Sequence, residues 1–267
     1  MEKLINTDIN LSKRIIKKPV FNNILNKDHN LHDIIVLYND GRNWKVIPIN
    51  VLLKYPIIHD LYYELSKDNT DIISDITIYM CPYTLVTSIY FGTYLPINKI
   101  YNNNLVISED NDSLLIPIIN KTYSISSKNI TNKYIRRNEA RIMTLLNAMT
   151  MYPDLLFIDT NTIKKIKNIN KLNYLTNSEI KFSYNNHLEK YKPKTFVYVI
   201  EYKSKKNYEY KYTVIIPKNN SFDTDKNGFG QYFEKIIDKI RDKGGYIFNC
   251  FWFALDNTNK NYKTIAL

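Results

Sequence analysis

The turn at Asn39-Asp40-Gly41 is the feature that most limits what this chain can become. Ile34 and Val36 precede it, and Trp44, Val46 and Ile47 follow it. A glycine after Asp or Asn supplies the positive φ of a tight hairpin, so an antiparallel strand is expected on either side. Pro48 cannot donate to a ladder, and the return strand is expected to end there or to lie at an edge.

The legible stretch continues to residue 95. Val51, Leu52, Tyr55, Ile58, His59 and Tyr62 recur at roughly helical spacing and predict a helix. Residues 76–80 are rich in β-branched side chains and read as a third strand. Cys81-Pro82 breaks that strand, and Pro82 suits the first turn of a second helix with Leu85, Ile89 and Tyr90 on its apolar face and Gly92 at its end. A short helix over residues 21–25 is expected to precede the unit.

Taken in order, these elements resemble the BTB/POZ fold over residues 18–100. The segment from Phe21 to Tyr38 matches the helix and "Asp-apolar" strand of that family, and Ile89-Tyr90-Phe91-Gly92-Thr93-Tyr94-Leu95 matches its "Ile-Tyr-x-Gly-x-x-Leu" ending. The expected architecture is therefore α+β: a flexible basic arm over 1–17, a BTB/POZ-like domain over 18–100, a connector with short strands over 101–133, and a second mixed α/β domain over 134–267. The resemblance implies self-association, commonly as a homodimer, or docking of a protein partner, including recruitment of a cullin-type ubiquitin ligase. A degenerate BTB unit in a chain saturated with Lys, Asn, Ile and Tyr also resembles proteins of large DNA viruses, which would place it in the host cytoplasm or a viral factory.

Within the second half, residues 134–151 carry an apolar stripe (Ile135, Ile142, Leu145, Leu146, Met149) and predict a helix with Arg136, Arg137 and Arg141 on its charged face. Residues 105–119 read as two short strands around an acidic turn. Residues 155–159 and 246–255 read as buried strands, and residues 196–216 as a hairpin with a lysine-rich connection. A further helix is expected over 231–243.

Charge and composition bound the function. The 267 residues carry a formal charge of +11, but only six of the 37 basic residues are arginine. Sites built on phosphate or base contacts favour the bidentate arginine fork, so weak general attraction to nucleic acid is expected rather than specific recognition. Two isolated cysteines, Cys81 and Cys250, suit a reducing compartment. No apolar run approaches the roughly 18 residues of a membrane helix, and residues 1–18 lack the apolar core of a secretory signal. A soluble, cytoplasmic protein is expected. His29 and His32 lie near Asp28 and Asp33, but only two other histidines, His59 and His187, remain to complete a metal site. Only six glycines and no internal repeat argue against the six-bladed propeller that follows BTB units in many proteins.

One constellation could be chemical. Asp154 directly precedes an apolar strand, Glu201 and Lys203 form Glu-x-Lys at the end of another, and Gln231 opens the next expected helix. This resembles the PD-(D/E)-x-K nucleases, in which the carboxylates hold Mg²⁺, the metal acidifies a bound water, and the lysine positions it or stabilises developing charge. Asp159 is an alternative ligand to Asp154, and Glu139 a further carboxylate. Glu-x-Lys also occurs at Glu179/Lys181 and Glu209/Lys211, and only the middle copy follows a continuous apolar strand. The leading expectation is a non-enzymatic scaffold or adaptor without a cofactor; the nuclease, with Asp154, Asp159 and Glu201 around Mg²⁺, is the alternative.

Overall fold

The computed structural model describes residues 4–7, 11, 13–24, 30–66, 68, 70–109, 112–131, 135–163, 194–203, 210–216, 245–251, 254–255 and 262–266. These residues are mostly β-strand, and their four sheets form a four-bladed, propeller-like ring rather than an α+β BTB/POZ fold.

Sheet I has six antiparallel strands in the order β1 (Leu4–Asn6), β9 (Leu95–Tyr101), β10 (Asn104–Ser108), β11 (Ser113–Ile116), β12 (Lys121–Ser124) and β13 (Asn129–Thr131). Sheet II runs β14 (Arg137–Asn138), β8 (Thr87–Phe91), β7 (Asp71–Met80), β6 (Ile57–Leu65) and β2 (Ile15–Lys17), the last parallel to β6. Sheet III runs β15 (Ala140–Thr144), β4 (Ile34–Asn39), β5 (Trp44–Pro48), β16 (Leu155–Ile158) and β3 (Phe21–Asn22), with β16 parallel to β5. Sheet IV runs β19 (Tyr246–Phe251), β17 (Phe196–Lys203), β18 (Tyr210–Ile216) and β20 (Tyr262–Ala266), with β20 parallel to β18.

Strand alternation shows how the ring is filled. Side chains along a strand point to opposite faces with period two. In β17, Phe196, Tyr198 and Ile200 enter one core while Val197 and Val199 enter another. In β7, Ile76, Ile78 and Met80 enter the first of these and Tyr79 the second. Sheets II and IV therefore bury both faces. One core is shared with Val36, Tyr38, Ile47 and Ile142 of sheet III, the other with Ile100, Leu105 and Ile107 of sheet I. The outer face of sheet III, with Ile35, Leu37, Val46 and Phe157, packs on Leu145 and Ala148 of helix α2 (Leu145–Met151).

Several expected helices are strands. The helix expected from residue 51 stops as α1 (Ile49–Lys54), and β6 takes over. The second helix of the BTB reading is β8, buried on both faces so that no polar alternation marks it. Residues 134–151 divide into β14, β15 and α2, with the Thr144 side chain accepting from Asn147 N at the helix start. Phe21 and Asn22 form β3 rather than a helix. The helix expected over 231–243 lies outside the described residues. The hairpins of β4–β5, β10–β11 and β17–β18 and the strand β16 stand where the sequence places them.

The expected boundaries near residues 18 and 100 do not follow the sheets. The first 22 residues, read as an arm and a helix, supply β1, β2 and β3, one edge strand each to sheets I, II and III. In the stretch expected to be a connector with short strands, β10 to β13 make up four of the six strands of sheet I. The glycine count also misleads about propeller-like rings in general. Asn102, Asn103 and Asn120 take positive φ at turns of sheet I, where glycine would be usual. Asparagine tolerates that region because its short side chain bonds locally.

Candidate functional site

A cleft of about 710 Å³ opens between sheets II and III, within the range of ligand-binding cavities. The β4–β5 turn forms one wall. Asn39 Oδ1 accepts from Gly41 N at 2.7 Å, and Asp40 Oδ1 accepts from Arg42 N at 2.9 Å and Asn43 N at 2.7 Å. These bonds hold the turn closed and leave the second Asp40 oxygen facing Lys45.

Lys45 is the centre of the floor. Its ammonium lies 2.8 Å from Asp40 Oδ2 and 2.7 Å from Asp60 Oδ2, and Tyr38 Oη donates to the same Asp60 oxygen at 2.7 Å. Asp40 and Lys45 are buried. Burial pulls the Lys45 ammonium down, but hydrogen bonds and charge from Asp40 and Asp60 outweigh it, and its pKa is raised. Burial, with the charge and hydrogen bond of Asp60, pushes the Tyr38 phenol well up. The network brings together β4 and β5 of sheet III and β6 of sheet II. The ammonium also lies 4.6 Å from the centre of the Phe21 ring.

The mouth is basic. Lys17 and Lys18 line it and are exposed, with no carboxylate partner among the described residues. Arg42 pairs with Asp71 and lies 4.3 Å above the Tyr63 ring. His59 donates from Nε2 to the Tyr94 carbonyl at 2.8 Å, which fixes its tautomer. Leu61, Tyr63 and Asp75 complete this wall.

The wall continues outward. Leu61, Tyr63 and Leu65 alternate onto one face of β6, and Ile73 of β7 sits directly opposite Tyr63. Where β6 and β7 lie inside the ring, Ile57, Ile58, Ile76 and Ile78 are wholly covered. Beyond Leu61 the hairpin projects, and Leu65 is 71%, Ile73 58% and Ile72 49% exposed.

The nuclease residues do not form a comparable site. Asp154 is exposed just before β16 in sheet III, whereas Glu201 is buried in sheet IV with its Oε1 2.5 Å from Arg137 Nη2. The Asp159 side chain accepts from Asn161 N and caps a 3₁₀ turn, and Glu139 accepts from Arg141 Nη2 at 3.3 Å. The Lys203 side chain and Gln231 lie outside the described residues, as do His29 and His187. Among the described residues, no three His, Cys, Asp or Glu side chains gather where they could hold a metal. Among them, too, no helix is long and apolar enough to cross a membrane.

The cleft residues were readable only in part. Asp40 belongs to the turn motif, and Asp60 stands out as a charge inside the apolar run IIHDLYYEL. Nothing local joins either to Lys45, because the junction is made between two sheets.

No family model matches the chain, and no curated protein or solved structure matches it.

Proposed function

We propose that this chain is a non-enzymatic interaction protein that docks a protein partner on the β6–β7 hairpin and the cleft at its base. The observation that carries this reading is the abrupt change in burial along one hairpin. Its inner half is covered on both faces, and its outer half presents Leu65, Ile72 and Ile73 to solvent on a ladder of nine paired positions. Clustered exposed aliphatic side chains on a rigid element are characteristic of a surface that is covered in use. The charges at the cleft floor are engaged with one another, which suits recognition better than proton transfer. Two copies at +11 each repel at low salt, which favours a different protein over a second copy.

The test is affinity capture by the full chain from cells that produce it, run beside a Leu65→Asp/Ile73→Asp variant, with each captured protein then purified and recombined with the chain. Both positions are exposed, so the variant should keep the wild-type circular dichroism and unfolding midpoint. The expected result is a protein that forms a defined complex with the wild type and not with the variant. If every reconstituted complex forms equally with both chains, the proposal fails.

A further inference from the structure

We infer that the segment docked along this surface is an extended acidic peptide of the partner, its carboxylates at Lys17 and Lys18 and its apolar side chains along Leu61, Leu65 and Ile73. This rests on the interaction reading and specifies the chemistry it recognises. β2 pairs in parallel with β6, with Lys17 opposite His59, so Lys17 stands two positions and Lys18 one position short of Leu61 along one edge. Leu61 to Leu65 then extends about 13 Å at about 3.3 Å per residue, the reach of a short extended segment.

Charge complementarity selects the acidic partner. Asp40 receives two backbone N–H groups and the Lys45 ammonium, and Asp60 receives Lys45 and Tyr38, so the floor carboxylates are already engaged. Asp71 is paired with Arg42, and Asp75, exposed opposite Leu61, is outnumbered two to one by Lys17 and Lys18. Lys17 and Lys18 are the exposed cations at the mouth without such a partner among the described residues.

The same surface is poorly made for nucleic acid. Single strands bind by stacking bases on open aromatic faces. Here the Tyr63 ring lies under the Arg42 guanidinium and the Phe21 ring beside the Lys45 ammonium, at 4.3 and 4.6 Å. What remains open is aliphatic, and aliphatic side chains are what Leu65 and Ile73 would cover. A phosphate group alone would use the lysines and leave that apolar stripe in water.

The experiment is fluorescence anisotropy of the full chain with three labelled probes: a dodecapeptide alternating glutamate and leucine, its lysine–leucine counterpart, and dodecathymidylate. The glutamate–leucine peptide should bind best, and its affinity should fall with added salt. It should fall about tenfold or more in Lys17→Glu/Lys18→Glu and, separately, in Leu65→Asp/Ile73→Asp. Equal binding of the two peptides, or dodecathymidylate binding that the lysine variant abolishes while the acidic peptide fails to bind, would overturn the inference. If the aspartate variant loses the natural partner and the lysine variant keeps it, docking on the hairpin stands and the acidic assignment falls.

Discussion

Arg137 Nη2 donates to Glu201 Oε1 at 2.5 Å, tying an edge strand of sheet II to the central ladder of sheet IV. Both side chains are buried, and the guanidinium lies 3.7 Å above the Tyr246 ring. Two charges so far from water are held only by each other and their neighbours, and removing one partner strands the other. Glu201→Ala should therefore lower stability by about 3–5 kcal/mol in urea unfolding. The double change Arg137→Met/Glu201→Leu should recover most of that loss, because an apolar pair of similar volume needs no compensation. A single variant as stable as the wild type would contradict a buried pair.

Gly41 makes the hairpin turn a contact between sheets. It has φ of +94°, and a Cβ there would overlap the Tyr63 carbonyl, while Tyr63 N donates to the Asp40 carbonyl at 2.7 Å. Gly41→Ala meets both a backbone penalty and a clash with backbone that cannot rotate away. A loss of about 1–3 kcal/mol is expected, accompanied by weaker docking of any ligand that touches the cleft. Thermal unfolding is the check, and an unchanged midpoint would mean that the turn does not pack on β6.

The sequence was most informative where strand and turn signals coincide. Asn39-Asp40-Gly41 marks β4 and β5, and the continuous apolar runs mark β16, β17 and β19. It misled where burial on both faces comes without a continuous apolar run, as at Thr87 and Ser88 of β8, or where a strand projects into solvent, since both conditions erase the strand signal. β8 and β6 are the two cases, and each reads as a helix. The arginines near residue 137 fail for a related reason. The apolar stripe assigns them to a charged outer face, but Arg137 and Arg141 are both buried, the first against Glu201 from a distant segment and the second against Tyr152 and Glu139 nearby. The cleft is hidden in the same way: Asp40, Lys45 and Asp60 acquire meaning only when sheets II and III are brought together.

The opening residues offer a direct test of how the ring is bound together. β1, β2 and β3 pass along the edges of three successive sheets, and between them Leu11 is fully buried, its N–H donating to Asn98 Oδ1 at 2.8 Å. Leu11 packs in the core shared by sheets I, II and IV. Leu11→Ala should cost about 2–5 kcal/mol, the range for a large-to-small change in a packed interior. A flexible arm would tolerate the change with no shift in the urea midpoint.

Alkaline pH should unfold this protein earlier than its hydrophobic content suggests. Burial raises the phenol pKa of Tyr38, Tyr79, Tyr90, Tyr94, Tyr198 and Tyr246 above the ordinary value of 10.0. Asp60 adds to the effect at Tyr38, and Arg137 opposes it at Tyr90 and Tyr246. The native state keeps these protons after the unfolded chain begins to lose them, so their contribution is complete below about pH 10 and falls as pH rises through the folded values. Lys45 acts in the same direction above its ordinary 10.5, since its folded pKa is also raised. Each group can remove up to about 1.4 kcal/mol per pH unit in that window. Urea midpoints measured from about pH 8 to 11 should hold steady and then drop steeply, and phenolate absorbance should show these tyrosines ionising together with unfolding. Tyr38→Phe should make the alkaline limb shallower by about one proton, while lowering neutral-pH stability through loss of the bond to Asp60. If all 23 tyrosines ionise at their ordinary value while the fold persists, the phenols are not in the cores assigned to them.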